Sequence, residues 1–255
     1  MSALLETHGL VFGWDARAAL GRAEGLALHC GEVLCLLGRN GSGKTTLLRT
    51  LLGLQPPLAG TVVLQGDALA SLTNAARARA LAYVPQAQVV PFPYTLEAMV
   101  TMGRTARLAP WQAPGVEDRA VARAALERVG LVALAGAAYT EVSAGERQLA
   151  LIARALAQAA PAMLLDEPTA HLDFGNRHRV LQLLRALAAD GIGVLFTTHD
   201  PADALRQADR VALLQSGQLA CGVPAEVLTV ARLSNAYGVP VRVERLADGT
   251  PVCVV

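Results

Sequence analysis

The chain has 255 residues, 53% of them hydrophobic, and a formal charge of +1, which suits one large α/β domain and leaves too little length for two full-sized enzymatic domains. No apolar run approaches the roughly 20 residues of a membrane-spanning helix, and the near-neutral balance carries no general basic footprint for nucleic acid. The opening MSALLETHGL lacks the basic start and apolar block of a secretory signal, and Cys30, Cys35, Cys221 and Cys253 show no CxxC spacing, so a cytosolic chain with reduced thiols is expected.

In chain order, the first informative stretch is EVLCLLGRNGSGKTTLLRTLLGL. Val33 to Leu37 reads as a buried strand and Thr45 to Leu52 as a helix stopping near Gly53. Between them Gly38, Gly43, Lys44 and Thr45 fill the pattern GxxxxGK[ST], with Asn40, Gly41 and Ser42 inside it and Thr46 behind it. Glycines there let backbone N–H groups curl around phosphate oxygens, the helix N-terminus adds partial positive charge, and the lysine reaches the β and γ phosphates. Thr45 is placed to put its hydroxyl on Mg²⁺. Of the 22 basic residues Lys44 is the one lysine, which marks it as a place for a compact ammonium where a planar guanidinium would not fit.

Gln86, closing LAYVPQ, is a polar group at the end of an apolar run, placed to sense Mg²⁺ or an attacking water. Val89 to Val142 reads as mainly helical, with YTLEAMVTMGR and EDRAVARAALERVGL as its periodic segments. Next, VSAGERQLALIARAL opens an apolar-periodic helix with Ser143 and Glu146 in capping-box spacing, and no base, nucleophile partner or metal ligand stands beside it. Ala162 to Leu165 reads as a short buried strand that delivers Asp166 and Glu167 at its carboxyl end, where α/β sheets hold ligands. Such a pair is by itself an ordinary solvated loop. Behind a phosphate loop, Asp166 is expected to bind Mg²⁺ through water and Glu167 to act as general base. His199 also follows an apolar run, and a γ-phosphate contact is expected of it. The remainder reads as a hairpin in RVALLQSGQLACG, a short helix in PAEVLT and a terminal hairpin around Asp248-Gly249.

Taken in this order, Gly38 to Thr45, Gln86, Ser143 to Gln148, Met163 to Glu167, Ala170 to Asp173 and His199 resemble the ATPase subunit of ABC transporters, from about Leu4 to Tyr237. The resemblance implies a single α/β domain over 1–255: a P-loop NTPase core of ABC type with an antiparallel β subdomain and a helical signature subdomain. The helical subdomain covers about 89–158 and a C-terminal hairpin extension about 238–255. ATP and Mg²⁺ are the implied cofactors, with Thr45, Gln86 and Asp166 on the metal. Trp14 matches the aromatic that stacks on adenine, the alternative being that it packs beneath its strand.

The phrase VSAGERQ looks like the family's signature motif, LSGGQ or LSGGE. That motif would set Ser143, Ala144, Gly145 and Glu146 against the ATP held by an opposing subunit, with Asp173 coupling the two sites. Ala144 replaces the family's first glycine. Alanine there slows hydrolysis if the position needs positive φ or very close phosphate approach, and changes little if φ is negative.

The implied partners are a second ATPase subunit, expected to be an identical chain, and two transmembrane permease subunits docking on the helical subdomain, where the aromatics of Pro91-Phe92-Pro93-Tyr94 suit docking, the alternative being ordinary loop packing. An extracytoplasmic binding protein is implied indirectly, nucleic acid is not expected, and the place of work is the cytoplasmic face of the membrane. FPYTLEAMVTMGR and EPTAHLDFGNRHRVL resemble ATPases of importers for iron chelates (siderophores, haem) and cobalamin, with molybdate and tungstate importers as the alternative. A non-transport ABC-type ATPase would bring long coiled-coil insertions or a second ATPase domain, and a non-hydrolysing regulatory subunit has only Ala144 in its favour.

Overall fold

The computed structural model describes residues 3–14, 18–86, 92–247, 249 and 251–254. Its elements are β1 (Ala3–Gly13), β2 (Ala19–Ala23), β3 (Ala27–His29), β4 (Val33–Leu37), α1 (Lys44–Leu51), β5 (Ala59–Leu64), β6 (Asp67–Ala68), α2 (Asn74–Ala80), β7 (Leu81–Val84), α3 (Leu96–Thr101), α4 (Val116–Arg128) and α5 (Ala144–Ala157). They continue with β8 (Ala162–Leu165), α6 (Phe174–Ala189), β9 (Gly193–Thr198), α7 (Pro201–Gln207), β10 (Arg210–Gln215), β11 (Gln218–Gly222), α8 (Pro224–Val227), α9 (Val230–Tyr237), β12 (Arg242–Arg245) and β13 (Pro251–Val254). The chain divides into two compact units, Met1–Leu72 with Leu184–Val255, and Thr73–Leu183.

In the first unit an antiparallel sheet runs β2-β1-β5-β6, with β3 also on β1. A second set of strands runs β11-β10-β4-β9, parallel except for the β10–β11 hairpin. Every residue of β4 and of β9 is buried, as expected where both faces of a parallel sheet are covered and the strand reads as a continuous apolar run. Truncating one of these side chains, as in Leu36→Ala, should cost about 2–5 kcal/mol. The register sets Leu37 against Thr198, so the two strands end side by side and the loops that follow them start as neighbours. The expected hairpin of β10 and β11, the short helix α8 and the terminal β12–β13 pair all form, while Asp248 lies outside the described residues.

In the second unit β7 and β8 pair in parallel, with Val84 opposite Leu165. Helices α3, α4 and α5 pack on one another through Leu96, Met99 and Val100, through Ala122 and Leu126, and through Leu149 and Ile152, all buried. Between helices the chain makes 3₁₀ turns at Met102–Arg107 and Val132–Leu134. Arg104 and Asp118 form an ion pair of 3.0 Å that ties the first of these turns to α4. The segment read as helical over 89–142 therefore holds α3 and α4, and its first residues, Val89 to Pro91, lie outside the described residues.

Candidate functional site

In the first unit the glycine-bent loop from Gly38 to Gly43 forms a cradle at the start of α1. Gly43 is the N-cap of α1 at φ 102, a left-handed backbone that only glycine adopts without strain. A Cβ there would also lie 3.2 Å from the Phe12 ring and 3.4 Å from Leu20 Cβ, so the β1–β2 hairpin presses directly on the loop. The first turn of α1 has no side-chain cap and no acidic residue, which leaves its N–H groups and partial positive charge for an anion.

Lys44 is 5% exposed, and its ammonium donates to the carbonyls of Gly38 at 2.8 Å and Arg39 at 3.1 Å. The Ser42 hydroxyl is buried with no hydrogen-bond partner, one of three such side-chain atoms among the described residues, with His29 Nδ1 and Gln148 Nε2. An unpartnered hydroxyl inside a glycine-bent loop fits a ligand rich in acceptor oxygens. Asn40 and Gly41 lie exposed on this loop; Thr45 is half-buried at the second position of α1, and Thr46 is buried behind it.

His199 emerges one strand away. The Gly38 N–H donates to the Thr198 carbonyl at 3.3 Å, so the cradle and the exposed His199 start from adjoining strand ends. The His199 backbone is braced from the C-terminal side: the Tyr237 hydroxyl donates to its carbonyl at 2.8 Å. Burial pushes the Tyr237 phenol well up, which keeps it a proton donor. Nothing in the sequence pointed to Tyr237, whose contact joins residues 38 positions apart. Trp14 follows the buried Phe12 by two residues and is 63% exposed, so its indole is not packed beneath the strand and presents a face to solvent beside the cradle's own hairpin.

The second unit has its own group of polar side chains at the ends of β7 and β8. Gln86 follows β7 and Asp166 follows β8, and the Asp166 N–H donates to the Val84 carbonyl at 2.9 Å. Asp166 is 2% exposed. Glu167 is half-buried and stands at φ 43, a positive value rare for a residue with a side chain. The Gln86 amide donates to Glu167 Oε2 at 3.4 Å, so these two strand-end groups meet. Within this unit the Asp166 carboxylate and the Gln86 amide oxygen are hard oxygen donors, a type that suits Mg²⁺; the Thr45 hydroxyl of the first unit is a donor of the same type.

The signature segment is a formed capping box. Ser143 Oγ accepts from the Glu146 N–H at 3.3 Å, and Glu146 Oε2 accepts from the Ser143 N–H at 2.7 Å. Hydrogen bonding of the Ser143 hydroxyl, and then of its backbone N–H, to the carboxylate holds the Glu146 carboxyl below its ordinary range. Ala144 is the first residue of α5 and has helical, negative φ, so of the two expectations for this position the one in which alanine costs no backbone strain applies. Gly145 is buried against Asn176. Asp173 accepts from the Asn176 backbone N–H at 2.8 Å and from its side-chain amide at 2.7 Å, which lowers the Asp173 carboxyl pKa. Asn176 was not singled out from the sequence, although an aspartate three residues ahead of it at a helix start is a readable N-cap pattern.

A glycine-bent loop entering a helix behind a buried parallel strand, with a buried lysine in it, defines a P-loop nucleotide-binding protein. The family model for ABC transporters matches residues 24–170. An ABC transporter ATP-binding protein of Haemophilus influenzae is 41% identical over 92% of this chain and 89% of its own. A hemin import ATP-binding protein of Burkholderia lata is 38% identical over 99% of each chain. Among solved structures, a transporter assigned to the metal-chelate ABC type, in an inward-facing conformation, superposes with a TM-score of 0.88 at 32% identity, covering 100% of this chain and 98% of that one. The chain belongs to the ABC transporter ATP-binding family, and the members of that family that serve importers are ATPases.

Proposed function

We propose that this chain is the ATP-hydrolysing subunit of an importer for an iron chelate, haem or a siderophore, and that it drives separate membrane permease subunits from their cytoplasmic face. The observation that carries the reading is end-to-end likeness to a hemin import ATP-binding protein in a chain whose own cradle is built for phosphate. Among the described residues no helix is long and apolar enough to cross a membrane, and in this reading the transport path belongs to the separate permease subunits.

In this reading Lys44 and the amides around Gly41, Ser42 and Gly43 hold the phosphates and Trp14 stacks on the adenine. Thr45, Asp166 and, through water, Gln86 would hold Mg²⁺, which when bound neutralises charge growing on the phosphate oxygens. Glu167 takes the proton of the attacking water, Gln86 orients that carboxylate, and His199 donates to the γ-phosphate. Ser143, Ala144, Gly145 and Glu146 present the start of α5 to the nucleotide of a second, identical subunit, and Asp173 links the two sites.

The test is ATP hydrolysis by the chain purified with its permease in lipid, with and without an extracytoplasmic binding protein carrying haem, ferric siderophore, cobalamin or molybdate. Stimulation by haem or ferric siderophore is expected. Stimulation by molybdate alone, or turnover indifferent to all four, removes the iron-chelate assignment. Absence of turnover with any of them removes the ATPase role.

A further inference from the structure

The start of α5 and the Asp173 loop are joined by a contact that neither the motifs nor the family assignment accounts for. Gly145 is buried, and a Cβ built on it would fall 2.6 Å from the side-chain nitrogen and 2.7 Å from the side-chain oxygen of Asn176. Real Cβ atoms do not come that close to anything, so the amide of Asn176 lies flat on the space a methyl group would need. An amide at the end of a free side chain could swing aside at little cost. This one is not free: its nitrogen donates to Asp173 Oδ2 at 2.7 Å, while its backbone N–H donates to Asp173 Oδ1 at 2.8 Å. The bidentate aspartate fixes both the start of α6 and the rotamer of Asn176, and that rotamer is what meets Gly145.

We infer that Asn176 is a positioning residue for the signature helix. Clamped by Asp173, it sets where the first turn of α5 stands with respect to the Asp173 loop and makes the two segments move as one piece. The inference rests on the proposed reading, in which Ser143 and Gly145 face a nucleotide and Asp173 carries coupling between sites. It adds that the glycine of this motif is required by its own chain. The usual explanation of such a glycine, close approach of the ligand, predicts that no second substitution within the chain can restore an alanine at 145. Packing on Asn176 predicts that one can.

The experiment is a four-protein cycle on the full-length chain in complex with its permease: wild type, Gly145→Ala, Asn176→Ala and the double variant. Each is assayed for steady-state ATP turnover, for equilibrium binding of a fluorescent ATP analogue and for thermal unfolding. Gly145→Ala is expected to lower kcat by about tenfold or more, the scale on which misplacement of a contacting group by a fraction of an ångström acts. Asn176→Ala is expected to lower kcat by several-fold, on the order of one lost positioning hydrogen bond, with binding of the analogue unchanged. The double variant should match Asn176→Ala in kcat, and its melting temperature should exceed that of Gly145→Ala.

A double variant as slow as Gly145→Ala, or one in which the two losses multiply, overturns the inference. Loss of analogue binding in Asn176→Ala overturns it too, because a residue acting only through α5 leaves the cradle alone. If the wild type itself lacks turnover, the ATPase reading falls and any role in turnover with it, while the four melting temperatures still decide whether Asn176 excludes a methyl group at 145.

Discussion

The positive φ of Glu167 sets catalysis against stability at a single residue. A side chain at φ 43 costs about 1–2 kcal/mol against the same residue in a relaxed conformation, because Cβ crowds the neighbouring carbonyl. Glycine escapes that cost but gives up about 0.5–1 kcal/mol through its larger entropy in the unfolded chain. The balance at this position favours Glu167→Gly over Glu167→Ala by about 0.5–1 kcal/mol, or a melting temperature higher by about 1–4 °C for a chain of this size. At a residue with ordinary negative φ the sign is the reverse. Both variants lose the proposed base, so turnover should fall about 10²–10⁴-fold in each, while Glu167→Gln should do the same at nearly wild-type stability. Thermal and urea unfolding, paired with phosphate release, read the two effects separately. A Glu167→Gly protein less stable than Glu167→Ala refutes the strain argument, and wild-type turnover in any of the three removes Glu167 from the base role.

Tyr237→Phe deletes the hydrogen bond to the His199 carbonyl and should cost about 1 kcal/mol, with kcat reduced and binding of an ATP analogue retained; unchanged unfolding and unchanged kcat would show the brace to be idle. Ala144→Gly should leave turnover within about fivefold of wild type, the kinetic equivalent of roughly 1 kcal/mol, since the backbone there is already helical; a larger gain in steady-state rate would point instead to contact between the alanine methyl and the ligand. The capping box has a defined pH response. Because Glu146 is held below its ordinary value of 4.5, its contribution is fully present above that value and is lost as pH falls through the lowered one. The stability difference between wild type and Glu146→Gln should therefore be flat across neutral pH and shrink only in acid, as followed by unfolding at stepped pH.

The parts of the fold that the sequence disclosed are those where pattern and environment are local. Val33 to Leu37 and Ala162 to Leu165 read as buried strands because short unbroken apolar runs have nowhere to go but the middle of a sheet, and both strands match. Ser143 and Glu146 gave the start of α5 because a capping box is satisfied within four residues. Asp166, Glu167 and Gln86 were legible as strand-end polar groups, and the meeting of Gln86 with Glu167 followed from the pairing of β7 with β8. Side-chain packing was not legible. That Gly145 is shaped by Asn176, that Tyr237 holds His199, and that Phe12 and Leu20 crowd Gly43 are properties of three-dimensional neighbours with no periodic trace in the chain. The backbone strain at Glu167 was equally hidden, since a glutamate before a proline carries no sign of a positive φ.

The setting of Lys44 bears on how a nucleotide would arrive. Its ammonium has already shed most of its hydration and points at two peptide oxygens of its own loop. An incoming phosphate therefore does not have to strip water from a solvated cation. It brings full negative charge against the neutral dipoles of those carbonyls, an exchange in a medium of low polarisability. The cradle behaves as a spring-loaded socket whose charge is parked on carbonyls, so recognition should discriminate sharply by ligand charge: a triphosphate can displace both peptide oxygens, and an uncharged nucleoside neither.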